Sequence, residues 1–380
     1  MCYNRIRTDN TPCANGEYAN GSCAMDGMEY VKNLLDHAVK LRATDLHICA
    51  GTKPVIRVNG ELTAVEHADV AKPNDVDGII KVTLDEAKRA KLVERRVLDF
   101  SFSVPGMGRF RANVYSQRGT FAIAIRILPF NIPEFGTLGL PNAVEAFTSK
   151  TGGLFLVTGA TGSGKSTTLA SLLDIINKKY KYHIITIEDP IEYLHSHKKS
   201  LVTQREIGED AISFADALRS ALREDPDVIM VGEMRAPETV SIALTAAETG
   251  HLVLSTLHTV GSAKAVDRIV DAFPPEQQNQ VKSQLATVLE GVVSQQLIPR
   301  ADEPGVVLAS EVMFVTPAIR SLIREGKHYQ MRSIIQTGQN LGMQLLEANL
   351  AELHLKGVIS NDEMMLHAQD QQLLMQFLRR

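Results

Sequence analysis

The stretch that decides the fold is "GLFLVTGATGSGKSTTLASLLDII", residues 153–176. Its first part, GLFLVT, is a short apolar run that predicts a buried β-strand, and STTLASLLDII, residues 166–176, predicts a helix. Between them, GATGSGKST, residues 159–167, matches the pattern G-x-x-x-x-G-K-[ST] in full. This is the pattern of the phosphate-binding P-loop, which needs a strand before it and a helix after it. The sequence therefore predicts a nucleoside triphosphate site in an α/β domain.

The residues of this loop have separable roles. Glycines let backbone N–H groups close around phosphates, and the N-terminus of the following helix favours negative charge. Lys165 is expected to contact the β- and γ-phosphates, and the hydroxyl of Ser166 is expected to ligate Mg²⁺. The predicted nucleotide-binding residues are Gly159, Ala160, Thr161, Gly162, Ser163, Gly164, Lys165, Ser166 and Thr167.

Three further apolar runs predict more buried strands. They are HIITIE at 183–188, DVIMVG at 227–232 and HLVLST at 251–256, and helical segments alternate with them. Continuous apolar strands separated by helices are typical of a parallel sheet that is covered on both faces. From about residue 276 onward, the pattern predicts a mainly helical region.

Acidic residues follow two of these strands. Glu188 and Glu192, with Asp189 between them, end the first strand, and carboxylates at that point are able to hold Mg²⁺ or its water shell. The second strand ends at Gly232, where P-loop enzymes usually carry an aspartate, and Glu233 comes next. A glutamate in that place can orient or deprotonate an attacking water, so Glu233 is the candidate general base.

Two histidines flank the last strand, within "TGHLVLSTLHT", residues 249–259. Because strand side chains alternate between faces, an offset of seven directs His251 and His258 to opposite sides, and one metal ion is not expected to bind both. His258 ends the strand on the side where α/β sheets bind ligands, so we expect it to contact the γ-phosphate. His251 starts the strand at the other end, and packing is its expected role.

The region before the P-loop domain has a different pattern. "MEYVKNLLDHAVKLRA" places Val31, Leu34, Leu35, Ala38 and Leu41 on one helical face, and the runs that follow predict antiparallel strands with a further helix. This predicts an α+β domain of about one hundred residues, a common domain size.

The predicted boundaries follow from these patterns. Residues 1–27 lack periodicity and predict a disordered extension, and residues 28–128 form the first domain. The Pro- and Gly-rich segment 129–141 predicts a linker, and residues 142–380 form the P-loop domain with a helical C-terminal part.

The composition limits the function classes. The chain has 380 residues, of which 44% are hydrophobic and 22% charged, as in soluble globular proteins. A net charge of −4 and the absence of tryptophan argue against nucleic acid as a partner. No apolar run is long enough to span a bilayer, so a cytoplasmic location is expected, with membrane contact only through partners. The four cysteines all lie within the first fifty residues without a C-x-x-C pair, which disfavours a zinc site.

At this point the sequence resembles the secretion-type ATPases, the hexameric motors of type IV pili and type II secretion. The segments GATGSGKST, ITIEDPIE, VGEMR and TGHLVLSTLHT are similar to the Walker A, Asp, Walker B and His boxes of that family. Within the family the chain is most similar to PilT-type pilus retraction (twitching motility) ATPases. "PAIRSLIREGK", residues 317–327, resembles their AIRNLIREGK element, with Ser321 where asparagine is usual. Assembly ATPases usually carry a tetracysteine zinc motif that this chain lacks.

The resemblance implies a PAS-like first domain, a RecA-like second domain, a ring of six subunits, and ATP bound between the two domains. Arginines of the first domain would then close over the phosphates. The candidates are Arg109, Arg111, Arg118 and Arg126, and Arg111 and Arg126 best match the phosphate-contacting arginines of the family.

The resulting hypothesis is a Mg²⁺-dependent ATPase that turns a platform protein of the inner membrane and retracts the pilus. A related retraction ATPase is a further possible partner. The alternatives are an accessory retraction ATPase of PilU type, a pilus assembly or type II secretion ATPase, and a nucleotide-dependent binding module with little turnover. A hexameric DNA translocase is the least favoured, because the chain is acidic.

Overall fold

The computed structural model describes residues 27–58, 60–128 and 131–379. The chain divides into two compact units. Of the described residues, one unit contains those up to Phe102 together with Arg111–Ile127, and the other contains Ser103–Phe110 and those from Leu128 onward. The predicted disordered extension lies outside the described residues, except for Gly27, which begins the first helix.

The first unit is built on a six-stranded sheet with the strand order β3-β2-β1-β6-β5-β4. Strand β1 is antiparallel to both β2 and β6, and β2 is antiparallel to β3. The elements are α1 Gly27–Lys40, β1 Asp45–Cys49, β2 Val55–Val58, β3 Glu61–Ala64, α2 Pro73–Thr83, α3 Glu86–Arg95, β4 Val97–Val104, β5 Gly108–Gln117 and β6 Thr120–Ile127.

Helix α1 buries the apolar face that the sequence predicts, through Val31, Leu34, Leu35 and Ala38. Leu41 was expected on the same face, but the helix ends at Lys40 and Leu41 is 47% exposed. The next residue, Arg42, has a φ of 54°, so the chain turns away from the helix directly after Leu41.

The second unit contains a seven-stranded sheet with the order β13-β12-β7-β11-β10-β8-β9. All neighbouring strands are parallel except β12 and β13. Its strands are β7 Gly153–Thr158, β8 His183–Glu188, β9 Leu201–Glu206, β10 Val228–Val231, β11 Leu252–Leu257, β12 Leu289–Pro299 and β13 Val306–Phe314. Its α-helices are α4 Lys165–Lys179, α5 Phe214–Ala221, α6 Pro237–Glu248, α7 Ser262–Asp271, α8 Pro275–Val288, α9 Pro317–Glu325, α10 Met331–Thr337, α11 Leu346–Leu355, α12 Asn361–His367 and α13 Gln371–Leu378.

The predicted α/β class is confirmed, but the prediction of a mainly helical region from about residue 276 is wrong in part. Strands β12 and β13 form a long antiparallel hairpin, and β12 pairs in parallel with the P-loop strand β7. Without β12, one edge of β7 would lack backbone partners, which is costly for a buried strand. The region is helical only before this hairpin, in α8, and after it, from α9 onward.

The segment predicted as a linker packs into the second unit where the structure describes it. Phe135 and Leu140 are buried in its core, and Ser171 of α4 donates a hydrogen bond to the backbone oxygen of Pro133, 2.5 Å away. Residues 131–141 are therefore attached to the P-loop unit. Among the described residues, no helix is both long and apolar enough to cross a membrane.

Candidate active site

The sheet of the second unit brings the predicted site segments to one edge. Strands β7, β11, β10 and β8 are adjacent and parallel, so their carboxyl ends lie side by side. The P-loop follows β7, His258 follows β11, Glu233 follows β10, and Glu188 ends β8. In open α/β sheets, ligands bind at the carboxyl ends of the strands. The four motifs thus meet where such a sheet binds a ligand.

The P-loop has the backbone conformation that its glycines were expected to provide. Gly159, Gly162 and Gly164 have φ values of 144°, 79° and 86°, which side-chain-bearing residues rarely adopt. A Cβ atom at Gly159 would lie 2.4 Å from the backbone oxygen of Gln295 and 2.4 Å from Oγ of Ser163. Helix α4 begins at Lys165, directly after this turn. The loop therefore directs its amide groups and a helix N-terminus to the same place.

Lys165 is buried, and its ammonium lies within the loop. Its Nζ donates to the backbone oxygens of Gly159, at 2.9 Å, and Ala160, at 2.8 Å. Burial lowers the pKa of Lys165, while the charges of Glu192 and Glu233 act in the opposite direction. The two glutamates from separate strand ends are thus close enough to act on the P-loop lysine.

Two hydroxyl groups in or beside the loop differ in their contacts. The Oγ atom of Ser163 is buried and has no hydrogen-bond partner among the residues that the structure describes. An unpaired buried hydroxyl costs free energy, and a phosphate oxygen at the loop would remove that cost. Oγ1 of Thr167, by contrast, lies 2.9 Å from Oη of Tyr193, which is 8% exposed. This contact ties the start of α4 to the acidic segment after β8.

The carboxylate of Glu233 contacts the side chains of Arg235 and His258. Its Oε2 is 2.8 Å from Nη2 of Arg235 and 3.4 Å from Nε2 of His258. The side chain of Glu233 is 23% exposed, so water reaches it. The structure thus brings the candidate base, Glu233, beside His258, the predicted γ-phosphate contact. It also pairs Arg235 with Glu233.

The residue before the candidate base is Gly232, and the packing explains the absence of a side chain there. A Cβ atom at Gly232 would lie 3.3 Å from the backbone oxygen of Ile187 and 3.4 Å from Cα of Glu188. The aspartate that is usual at this point in P-loop enzymes would therefore press on β8. Any metal-holding carboxylate must come from elsewhere.

The acidic residues after β8 are not equivalent. Glu188 is 8% exposed and accepts hydrogen bonds from Oγ1 of Thr186 (2.7 Å) and Nε2 of Gln204 (3.2 Å). Burial raises the pKa of Glu188 to about 7, although these two hydrogen bonds lower it. Asp189 and Glu192 are exposed. Glu188 is therefore an interior group with protein partners, and Glu192 faces solvent.

A residue that the sequence reasoning missed holds this acidic segment in place. Glu206, at the end of β9, is 4% exposed, and its Oε2 accepts from the backbone N–H of Ile191 at 3.0 Å. The same oxygen is 2.6 Å from Nη2 of Arg109, which lies in the part of the β4–β5 hairpin that belongs to the second unit. The polar pattern LVTQRE in β9 gave no apolar signal for a strand, so Glu206 was not identified, and Arg109 was named only as a candidate phosphate contact.

The two arginines predicted to contact phosphate lie in the first unit. Nε of Arg126 is 3.0 Å from Oδ1 of Asp45, its neighbour across the β1–β6 pairing, and Arg111 is exposed on β5. His251 lies at the opposite end of β11 from His258. Its Nδ1 is 2.9 Å from the backbone oxygen of Ala246, so it closes the turn after α6, as a packing role requires.

Comparison with known proteins gives the family. Residues 26–378 match the family described as type II/IV secretion system protein. This chain belongs to that family. The resemblance to secretion ATPases stated from the four motifs is thereby confirmed.

Individual members of the secretion ATPase family are similar over most of the chain. The type IV pilus retraction ATPase PilT of Pseudomonas aeruginosa is 47% identical over 332 residues, which cover 87% of this chain and 96% of that protein. A twitching motility protein of Neisseria gonorrhoeae is 44% identical over 317 residues, covering 83% of this chain and 84% of that protein. A crystal structure of the pilus retraction motor PilT with bound ADP has a TM-score of 0.85 and 48% identity, and covers 90% of this chain and 98% of that one.

Proposed function

We propose that this chain is an ATP-hydrolysing motor that retracts type IV pili. The observation that carries the proposal is the 47% identity with a pilus retraction ATPase across nearly the whole of both chains. The P-loop, Glu233 and His258 supply the groups that hydrolysis needs. Each of these groups stands at the end of an adjacent parallel strand.

The triphosphate is held by the P-loop. Lys165 and the backbone amides of the loop contact the β- and γ-phosphates, and the buried hydroxyl of Ser163 gains the partner that it lacks among the described residues. Mg²⁺, when bound, offsets the negative charge that develops on the phosphate oxygens. Ser166, Glu188 and Glu192 are the residues that would hold the metal directly or through water.

The donor set fits magnesium better than a metal held by protein ligands alone. Within the described part of the chain, no group of three or more His, Cys, Asp or Glu side chains is arranged to hold a metal ion. Magnesium usually keeps several waters and takes one or two carboxylates together with substrate phosphates. One hydroxyl and one or two acids beside a triphosphate match that preference.

The attacking water is activated by Glu233. Its carboxylate accepts the proton, and the 2.8 Å contact with Arg235 holds Oε2 in place. His258, 3.4 Å from the same oxygen, contacts the γ-phosphate and is therefore sensitive to its loss. Arg111 and Arg126 are the arginines proposed to stabilise the charge of the transition state, a contribution of roughly 10³–10⁵ in rate for an arginine in this role.

The proposed assembly is a homohexamer in the cytoplasm, at the inner membrane. Its partner is the platform protein of the pilus machinery, and a related retraction ATPase is a possible second partner. Contact with the membrane runs through these partners.

The test of hydrolysis is ATP turnover per subunit, measured over a range of protein concentrations. Turnover that rises with concentration and falls about 10²–10⁴-fold in Glu233→Gln supports a general base in an assembling enzyme. Glu352→Gln is the matched control, because Glu352 is an exposed residue on α11 that pairs with Lys356 at the end of that helix, and it belongs to none of the site motifs. Negligible turnover in the wild type, with ATP still bound, would favour the low-turnover binding module.

The direction of work requires a cellular test. A strain that lacks a retraction motor keeps its pili but does not twitch, whereas a strain that lacks an assembly motor has no pili. Retention of twitching with only weakened force would favour the accessory role of PilU-type ATPases. A count of surface pili together with colony spreading therefore separates the three alternatives.

A further inference from the structure

The segment that carries His258 is short and leads directly into helix α7. Only Thr259, Val260 and Gly261 separate His258 from Ser262, the first residue of the helix. Gly261 occupies the N-cap position, and no side chain of the cap accepts a hydrogen bond from the first turn. The first amides of a helix need an acceptor from elsewhere.

The β12–β13 hairpin supplies these acceptors. The backbone N–H of Ser262 donates to Oε1 of Glu311 on β13 at 2.7 Å, and the backbone N–H of Gly261 donates to Oγ of Ser294 on β12 at 2.8 Å. Ser262 is completely buried, and Glu311 and Ser294 are 3% and 4% exposed. Water therefore cannot replace either acceptor, so the loss of one leaves a buried amide unpaired.

The carboxyl group of Glu311 is buried, and its surroundings indicate a role beyond filling space. Burial raises the pKa of Glu311, while the contacts with Ser262 and the charge of Arg332 lower it and Glu347 raises it again. Retaining a carboxyl group in the interior is costly unless it makes specific hydrogen bonds. The bond that it makes here fixes the start of the helix next to His258.

We propose that Glu311 is a positioning residue for His258. By accepting from the first amide of α7, it fixes the end of the loop of residues 258–261 and so keeps His258 beside Glu233. Ser294 supports the same loop one residue earlier. This inference rests on the proposed function, because its effect on turnover requires that His258 takes part in ATP hydrolysis.

The test compares two substitutions of Glu311 in the full-length protein. Glu311→Gln keeps a carbonyl oxygen that can accept from the Ser262 amide, and Glu311→Met removes the acceptor at similar length. The first readout is amide hydrogen exchange in residues 258–264. We expect about ten-fold faster exchange in the methionine variant and near wild-type exchange in the glutamine variant.

Asn177→Leu is the matched control. Asn177 on α4 is completely buried, and its Oδ1 accepts from the backbone N–H of Lys198 at 3.1 Å, so its loss also leaves a backbone amide without its acceptor. A general loss of core stability would affect both variants, whereas faster exchange at 258–264 is expected only for Glu311→Met. Ser294→Ala is the milder second variant if Glu311→Met does not fold.

The second readout is steady-state ATP turnover in the wild type and in a His258→Ala background. Glu311→Met is expected to lower kcat about ten-fold with unchanged affinity for ADP, and to have no further effect once His258 is absent. Unchanged exchange at 258–264, or an equal loss of kcat in both backgrounds, overturns the inference. Absence of any wild-type turnover refutes the proposed function instead, and the exchange experiment still decides whether Glu311 fixes the loop.

Discussion

Replacing His195 with leucine is expected to remove a pH-dependent part of the protein's stability. The backbone N–H of His195 donates to Oε1 of Gln204 at 2.8 Å, whereas its ring Nδ1 is buried without a partner among the described residues. Burial lowers the pKa of His195 from 6.5 to about 4, and Lys198 adds to this effect while Asp174 opposes it. The imidazole is therefore neutral in the folded protein at pH values where the unfolded chain is already protonated.

The sign and size of the effect follow from this difference. Between pH 6.5 and pH 4, the unfolded state binds a proton that the folded state does not bind, so the free energy of unfolding falls as the pH falls. Stability from this source is intact above pH 6.5. About 2 kcal/mol of it is lost by pH 5, and about 3 kcal/mol is lost once the pH is below 4. Leucine cannot bind the proton, so the variant lacks this dependence.

The assay is urea unfolding of the wild type and of His195→Leu at pH 7.5 and at pH 5. The free energy of unfolding of the variant minus that of wild type is expected to be about 2 kcal/mol higher at pH 5 than at pH 7.5. The other titrating groups are present in both proteins, so their contributions cancel in this difference. Ser196→Ala, at the exposed next residue and without a titratable group, should show a difference from wild type that does not change with pH. A difference between wild type and His195→Leu that is the same at both pH values would refute the reasoning.

Three further predictions concern the core, the P-loop and a buried ion pair. Phe147→Ala should lower the free energy of unfolding in urea by about 3–5 kcal/mol, because Phe147 stacks on Phe155 and Phe314 at centroid distances of 4.1 and 4.8 Å. The control, Tyr329→Ala, alters a residue that is 75% exposed and should change the free energy of unfolding by less than about 1 kcal/mol. Gly159→Ala should weaken binding of a fluorescent ADP analogue far more than Gly162→Ala, because a Cβ atom at Gly159 meets two oxygens at 2.4 Å and one at Gly162 meets nothing within 4 Å; equal losses would contradict this. Arg332→Leu should cost about 3–5 kcal/mol by leaving the completely buried carboxyl group of Glu347 without its ion-pair partner, and the double variant with Glu347→Leu should recover most of that loss in the same urea assay.

The strands that carry the site could be predicted from the sequence because their signals are local. Four strands are continuous apolar runs, namely β7, β8, β10 and β11. Each is followed or ended by a sequence motif that predicts a role in binding or hydrolysing a nucleotide. Strand β12 was missed because it buries polar side chains. Gln295, within LEGVVSQQLIP, is completely buried and donates to Oγ1 of Thr168 at 2.7 Å, and that partner is 127 residues away along the chain.

The contacts of the arginines were beyond sequence reasoning for the same reason. The partner of Arg126 is 81 residues away along the chain and that of Arg109 is 97 residues away, and no local pattern relates them. Likewise, the four motifs identified Glu188 as an acid at the end of a buried strand, but gave no sign that Gln204 donates a hydrogen bond to its carboxyl group. Gln204 lies on β9, and only the folded sheet brings β9 beside β8.

The contact between Tyr193 and Thr167 also has a spectroscopic consequence. The chain contains no tryptophan, so an indole introduced at position 193 would be the only one in the molecule. Position 193 is 8% exposed and adjoins the start of α4, and it bears none of the side chains assigned to chemistry. The fluorescence of a Tyr193→Trp variant would therefore report on the surroundings of the P-loop as nucleotide binds and leaves. No other indole side chain would contribute to the signal.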